Sequence, residues 1–110
     1  MARRFPEKIE SILKEVKDQL GVLYAGRLKE VILFGSYARG DYTEGSDIDL
    51  LVLLDRLGEP EAERARYLST ICELSLKYDT VVSVVPMDYR VFRSKKTPLT
   101  LNVTREGVRL

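Results

Sequence analysis

Two apolar segments joined by a short stretch of turn-forming residues constrain the fold of this chain more than any other feature. Val31–Phe34 is a continuous apolar run that ends at Gly35, and Ser46–Leu54 follows after a segment in which Gly40 and Gly45 favour turns. Both apolar segments are typical of buried strands. A parallel crossover needs about a dozen residues or more, so the intervening segment is too short for one. The sequence therefore favours a mixed sheet over an all-parallel one.

Helical patterns flank these two strands. A helix is expected to begin at Phe5–Glu7 and to end with a C-cap at Gly21, because proline and an acid at the first turn and glycine at the end mark helix boundaries. A short helix is expected at Ser36, and a longer one is expected to begin at Pro60. The residues at helical spacing that predict its apolar face are Ala62, Ala65, Leu68, Ile71, Cys72, Ser75 and Leu76.

The second half of the chain supplies a third strand. Thr80–Val85 is β-branched and is bounded by Pro86, which predicts a strand that ends there. Asp88 is expected to cap a short helix through Phe92, whereas the segments 22–29 and 99–110 carry no firm pattern. The chain is therefore expected to form one α+β domain over residues 1–110, with a mixed sheet of three or four strands flanked by helices.

Composition narrows the chemistry that this chain can perform. The single cysteine, Cys72, and the lack of histidine exclude an internal disulfide, cysteine-based zinc sites and histidine-dependent triads. Catalysis must use carboxylates, hydroxyls, amines or a metal held by oxygen. A net charge of +1 argues against strong nucleic-acid binding. No apolar run is long enough to span a membrane, and the expected location is the cytoplasm.

An Asp-x-Asp pair lies on the second predicted strand. Asp47 and Asp49 share one strand face, about 7 Å apart at their Cα atoms, while the opposite face is aliphatic. Two carboxylates this close repel each other in a partly buried place, and a cation between them relieves the repulsion. Oxygen ligands suit Mg²⁺ or Mn²⁺. Taken alone, such a pair is more often a solvated strand face than a metal site.

A glycine–serine step follows the first predicted strand. Gly35 at a strand end allows a ligand to approach the backbone closely, and Ser36 at a helix start offers a hydroxyl and backbone N–H groups that suit a phosphate. Arg39, one turn later, can neutralise phosphate charge. Alone, this serine is more simply a helix N-cap. The combination of the glycine–serine step with the aspartate pair points to a site for a metal and a phosphate.

Two blocks carry a resemblance to a known family. Residues 35–40 read GSYARG and residues 45–52 read GSDIDLLV. In these blocks the chain resembles the minimal nucleotidyltransferase domains of the DNA polymerase beta-like superfamily, with their G-S-x-A-R-G and S-D-x-D-L-L-V patterns. The segment 102–107, NVTREG, resembles the N-V-x-x-E-G tail of short stand-alone members. The resemblance covers most of the chain and implies the polymerase beta-like nucleotidyltransferase fold.

The resemblance also implies an activity and a partner. It implies Mg²⁺-dependent transfer of a nucleoside monophosphate, most simply AMP from ATP, onto a hydroxyl, with Asp47 and Asp49 as the catalytic metal ligands. The residues expected to bind the nucleoside triphosphate are Gly35, Ser36, Arg39 and Ser46. Short members are commonly paired with HEPN-domain toxin proteins and can attach AMP to a tyrosine of the toxin. The expected partner is therefore a HEPN-domain toxin, and the expected role is that of its antitoxin.

The chain departs from the family pattern at one position. The family site has a third carboxylate on the next strand, but Thr80–Val85 contains no acid and Ser83 stands where one is expected. Asp79, four residues earlier, is the candidate third acid. Three readings remain open: Asp79 reaches the site, the substrate supplies the missing group, or catalysis is weak. The alternative function is a catalytically inactive binding module that neutralises its partner by contact.

Overall fold

A computed structural model describes residues 5–94 and 96–110, which form five helices and four strands. In chain order these elements are α1 (Glu7–Tyr24), β1 (Leu28–Phe34), α2 (Ser36–Arg39), β2 (Ile48–Leu54), α3 (Pro60–Tyr78), β3 (Val82–Asp88), α4 (Tyr89–Ser94), α5 (Pro98–Glu106) and β4 (Val108–Arg109). A 3₁₀ turn at Ala25–Arg27 links α1 to β1. In this part of the chain, no helix combines the length and the apolar character needed to cross a lipid bilayer.

The four strands form one mixed sheet in the order β3-β2-β1-β4. β1 pairs with β2 and with β4 in antiparallel orientation, whereas β2 pairs with β3 in parallel orientation. The parallel pair is connected through α3, which is long enough for a crossover, and the antiparallel pair through the short segment that contains α2. The prediction of a mixed sheet flanked by helices is confirmed.

The sheet separates two apolar layers. Alternate residues of β2, including Leu50 and Val52, pack with Val16 of α1 and Ile71 of α3 on one face. The other alternate residues, Leu51 and Leu53, pack with Ile32 of β1 and Val103 of α5 on the opposite face. The prediction that β2 presents two distinct faces is confirmed, and α5 covers the face on which Asp49 lies.

The first helix and the first strand are both longer than predicted. α1 continues through Gly21 and ends at Tyr24, so the expected C-cap at Gly21 is wrong. Gly21 lies at an exposed position, and its cost within a helix is only about 1 kcal/mol. Extending the helix buries the Tyr24 ring, which is 4% exposed, and this burial offsets that cost. β1 begins at Leu28 because it pairs with β2 along its full length.

The buried face of α3 differs from the predicted one. Leu68 and Leu76 are exposed, and Cys72 is an exposed free thiol, so the prediction that Cys72 packs in the core is wrong. The helix instead buries Ile71 and Leu74, with Glu63 near its start. Two neighbouring stripes of this helix are apolar, and the one that contains Ile71 and Leu74 packs in the same core layer as α1.

Glu63 explains why α3 is rotated in this way. Its side chain is 1% exposed and forms an ion pair with Arg27, and one of its carboxylate oxygens accepts a hydrogen bond of 2.9 Å from the backbone N–H of Gly58. Burial works to raise the pKa of Glu63, but the hydrogen bonds from Arg27 and Gly58 bring it below its ordinary value. A buried carboxylate with these partners remains ionised and fixes the start of α3 against the 3₁₀ turn.

β3 is one of the two edge strands of the sheet, and it extends beyond the predicted boundary at Pro86. The backbone N–H of Ile48 donates to the carbonyl of Val81 at 2.9 Å, so Val82, Val84 and Pro86 turn their backbone polar groups away from β2. The N–H of Val82 donates to the Ser75 hydroxyl at 3.2 Å. Proline is tolerated here because the N–H it lacks would point to the free edge.

The C-terminal third contains elements that carried no firm sequence pattern. Asp88 caps α4 as predicted, accepting hydrogen bonds from the N–H groups of Arg90 and Val91, and that helix runs to Ser94. α5 begins with a capping box between Thr97 and Thr100, followed by proline at its first turn. These start signals are visible in the sequence, but the helix that follows is only nine residues long.

We expect Gly107→Ala to destabilise the fold by about 1–3 kcal/mol, the usual cost of overpacking. Gly107 joins α5 to β4, and a methyl group built on it overlaps the carbonyl of Val103 and the side chain of Ile32. Urea unfolding measures the free-energy change. The matched control is Gly26→Ala, where nothing lies within 4 Å of the added methyl group; equal loss of stability in both variants would contradict the packing argument.

Candidate active site

A tight turn at the end of β1 forms the first part of the candidate site. Gly35 has φ +77° and ψ −155°, a conformation that is essentially restricted to glycine. Immediately after it, α2 makes a single turn in which the N–H groups of Arg39 and Gly40 donate to the carbonyls of Gly35 and Ser36 at 3.1 and 2.9 Å. Gly40 ends the turn with φ +89°. The predicted short helix at Ser36 is confirmed, with Ser36 half-buried at its start.

The carboxylate of Asp49 lies directly against Gly35. Phe34 and Asp49 are opposite each other in the antiparallel pair of β1 and β2, so both side chains lie on the face that α5 covers. A methyl group built on Gly35 would overlap Oδ2 of Asp49 and would lie 3.2 Å from its Cγ. The structure therefore brings the glycine–serine turn and one aspartate of the pair into contact, as the motif spacing predicted.

Asp47 and Arg39 provide the electrostatic surroundings of Asp49. Asp47 is exposed just before β2 begins, and Asp49 is half-buried within the strand. Burial raises the pKa of Asp49 above its ordinary value, the charge of Asp47 raises it further, and Arg39 opposes both effects. The two carboxylates are thus close enough to repel each other, and this repulsion is the condition that a bound cation relieves.

The position of the third carboxylate is occupied by a serine. Ser83 on β3 is the direct partner of Asp49 in the parallel pair. Asp79 is exposed and forms the C-cap of α3, with φ +49°, and its backbone N–H points back to the carbonyl of Leu76 at 3.4 Å. The charges that shift the pKa of Asp49 are those of Asp47 and Arg39 and do not include Asp79. The structure places Ser83 beside Asp49 in the sheet and Asp79 at the end of α3, and the role of Asp79 as a third acid stays a prediction.

The loop between α2 and β2 is held in shape by its own residues. The hydroxyl of Ser46 accepts a hydrogen bond of 2.8 Å from the N–H of Thr43, which closes the turn before Asp47. Tyr37 and Tyr42 stack on each other with ring centroids 4.4 Å apart. Tyr37 is buried in the protein. Ser46 therefore orients the start of β2, and its role in nucleotide binding stays a prediction.

A cavity of about 210 Å³ opens beside Gly35, between the turn and α5. Its lining residues include Phe34 and Arg39 on one side and Leu99, Asn102 and Glu106 on the other. Asn102 and Glu106 were noted in the sequence only as part of a terminal pattern. Their spacing of four residues, which places them on one face of a helix, is the signal that could have connected them with a site.

The donor set fits a small, hard cation bound together with phosphates. Among residues 5–94 and 96–110 no group of three or more metal-ligating side chains is placed to hold an ion by itself. Mg²⁺ commonly takes one or two carboxylates and completes its shell with substrate phosphates and water. Asp47 and Asp49 supply that number of carboxylates beside the turn that can receive a phosphate.

Comparison with known protein families identifies the fold and its motifs together. The family model described as nucleotidyltransferase domain matches residues 9–107. The chain belongs to the nucleotidyltransferase domain family. The match spans both the glycine–serine turn and the aspartate pair, so the family assignment and the geometry refer to the same part of this nucleotidyltransferase.

Curated relatives of this nucleotidyltransferase carry the name protein adenylyltransferase. One from Methanocaldococcus jannaschii, named "Putative protein adenylyltransferase MJ0604", is 40% identical over 100 residues, covering 89% of this chain and 93% of the relative. Protein adenylyltransferase MntA of Thermococcus cleftensis is 36% identical over 88 residues, covering 74% of this chain and 81% of that protein. The relatives match over most of their own length.

Solved structures share the fold. A mutant form of the toxin–antitoxin complex MntA–HpeT is matched with a TM-score of 0.60 and 28% identity, covering 88% of this chain and 70% of that one. A toxin–antitoxin structure with AMP-PNP is matched with a TM-score of 0.58 and 25% identity, covering 93% of this chain and 68% of that one. The fold of this nucleotidyltransferase is therefore similar to that of proteins of known structure.

Proposed function

We propose that this nucleotidyltransferase is a Mg²⁺-dependent protein adenylyltransferase that transfers AMP from ATP to a tyrosine hydroxyl of a HEPN-type toxin and so acts as its antitoxin. The observation that carries the proposal is the contact between the Asp49 carboxylate and Gly35, with Asp47 beside it. The named relatives support the activity, and the toxin–antitoxin complexes among the structural neighbours support the partner.

In this proposal each part of the site has a role. The backbone of Gly35 and the hydroxyl of Ser36 receive the triphosphate, and Arg39 offsets part of its charge. Asp47 and Asp49 hold the divalent ion, which when bound orients the phosphates and neutralises charge on the leaving pyrophosphate. The acceptor oxygen forms a bond to the α-phosphorus while the bond from that phosphorus to the pyrophosphate oxygen breaks. The acceptor hydroxyl passes its proton to water as the new bond forms, since no carboxylate stands opposite Asp49 to take it.

The serine at position 83 supports a second candidate function, that of a binding module without catalytic activity. A serine hydroxyl cannot take the acceptor proton at neutral pH, and no carboxylate replaces it opposite Asp49. A chain that only binds its partner would need neither the third acid nor metal ligation. The two functions differ in one respect: the enzyme needs its aspartates to protect cells from the partner toxin, whereas the binding module does not.

A transfer assay with the partner protein tests the proposal. ATP labelled on the α-phosphate should label a HEPN-type partner in the presence of Mg²⁺, and ATP labelled on the γ-phosphate should not. Chelation of the metal should abolish the labelling. In cells, the double variant Asp47→Asn and Asp49→Asn should lose protection against the toxin. Protection by a folded double variant, without label transfer by the unmodified protein, would establish the binding module instead.

We expect Ser83→Asp to raise the rate of transfer by about tenfold, a small part of the effect that an added metal ligand or base can supply. The new carboxylate would stand opposite Asp49 in the parallel pair. It should also lower the melting temperature without Mg²⁺, since three like charges repel each other, and added Mg²⁺ should restore it.

Ser83→Asn is the matched control, because it has a similar shape and no charge. The rate with saturating Mg²⁺ and ATP and the melting temperature with and without the ion are the two measurements. An equal rise in rate for the Asn and Asp variants would contradict the assignment of this position to the missing carboxylate.

A further inference from the structure

The cavity between Gly35 and α5 is continuous with the proposed triphosphate site. Gly35 lines it, and Asp49 lies against the other side of the same glycine. Its volume of about 210 Å³ is smaller than the 300–1,000 Å³ that holds a complete drug-sized ligand. It therefore suits one flat ring system whose attached charged groups remain outside, over the turn.

The walls of the cavity are apolar and aromatic. Phe34 belongs to the partly buried residues that pack on the second core layer, and Leu99 faces it from α5. Phe34 is also the direct cross-strand partner of Asp49, which fixes this wall at the edge of the proposed metal site. An aromatic ring and an aliphatic side chain that line the same cavity offer apolar surface against which a nucleobase can pack.

Two polar side chains of α5 complete the lining. Asn102 and Glu106 are four residues apart and so project from the same helix face. Arg105 donates a hydrogen bond of 2.9 Å to Oδ1 of Asn102 and lies 3.8 Å from Oε1 of Glu106. With its oxygen engaged in this way, Asn102 offers N–H donors, whereas the carboxylate of Glu106 only accepts. The lining therefore presents one donor group and one acceptor group.

We propose that Phe34, Asn102 and Glu106 form the base pocket of this nucleotidyltransferase and select a base edge that carries an exocyclic amino group beside an accepting ring nitrogen, an edge that, between the two purines, adenine has and guanine lacks. The amino group donates to Glu106, and the ring nitrogen accepts from Asn102. Guanine presents an oxygen where adenine presents the amino group, and that oxygen faces the carboxylate unfavourably. This inference rests on the proposed function, since it requires a triphosphate bound over Gly35 and Ser36.

Binding measurements with two ligands test the pocket apart from catalysis. Calorimetry in Mg²⁺ compares a non-hydrolysable ATP analogue with inorganic tripolyphosphate, which has no base. Asn102→Ala should weaken binding of the ATP analogue by up to about tenfold, the value of one hydrogen bond, because Asn102 lies at the exposed rim of the cavity, and it should leave binding of tripolyphosphate unchanged. Leu101→Ala is the control, because Leu101 is an exposed neighbour on α5 that does not line the cavity.

Glu106→Gln tests the choice of base. The amide can donate to the oxygen of guanine, so the preference for the ATP analogue over the GTP analogue should fall by about tenfold or more. Equal affinity of unmodified protein and both variants for the ATP analogue would overturn the pocket and leave the proposed function intact. Failure of the unmodified protein to bind either the ATP analogue or tripolyphosphate would overturn the proposed function and the pocket with it.

Discussion

Asp49→Asn should reduce AMP transfer by about a thousandfold or more while the protein remains folded. The variant removes a carboxylate from the metal site, and the charge stabilisation that a bound ion supplies is worth several kcal/mol. The raised pKa of Asp49, caused by burial and by Asp47, means that the ionised form is disfavoured in the fold. Folding stability is therefore lost as pH rises through that pKa, and the uncharged amide avoids this loss.

Two measurements distinguish the loss of a metal ligand from a general loss of stability. Initial rates with saturating ATP and Mg²⁺ give the loss of activity, and thermal melting at neutral pH should show a midpoint equal to or above that of the unmodified protein. Glu44→Gln is the matched control: it makes the same chemical change at an exposed position in the preceding loop. A fall in melting temperature that accounts for the lost activity would contradict the assigned role.

Gly35→Ala should reduce transfer by about a hundredfold and destabilise the fold by about 1–3 kcal/mol. The backbone conformation of Gly35 is one that residues with a side chain rarely adopt. The added methyl group would also overlap the Asp49 carboxylate, and it would move that group away from the metal. Displacement of a reacting group by about 1 Å commonly costs a hundredfold in rate.

Gly45→Ala is the matched control for this variant. Gly45 belongs to the same connection between β1 and β2, has an ordinary φ, and has nothing within 4 Å of an added methyl group. Rates and urea unfolding on both variants distinguish contact with Asp49 from a general effect of glycine in the loop. Full activity of a folded Gly35→Ala protein would contradict a role for the contact between Gly35 and Asp49 in transfer.

Local sequence patterns predicted the strands and the order of the elements well. The alternation along Ile48–Leu54 predicted both faces of β2, because a central strand is buried on each side by residues two apart. Sequence patterns alone did not predict the end of α1 or the buried face of α3, because tertiary contacts determine both. Helix α1 continues past Gly21 because this buries Tyr24. The ion pair of Glu63 with Arg27 fixes the rotation of α3. Neither contact is local in the sequence.

The candidate site was predictable in its motifs but not in its full extent. Asp49 lies against Gly35 at the end of β1, since strand pairing places Phe34 and Asp49 opposite each other, whereas the roles of Asp47 and Ser36 stay predictions. The cavity beside α5 could not be predicted, because the packing of a helix from the end of the chain against β1 is a long-range contact. The departure at Ser83 was visible in the sequence, and the strand register gives it a definite position.

The edge of β3 has a consequence for the behaviour of concentrated protein. Fibrils grow when strands of neighbouring molecules add to an open edge and satisfy its backbone groups one after another. Here the N–H of Val82 is already bonded to Ser75, and Pro86 has none, so donors are interrupted on both sides of Val84. An incoming strand would gain too few bonds at this edge to extend the ladder, so cross-β assembly should not begin at β3.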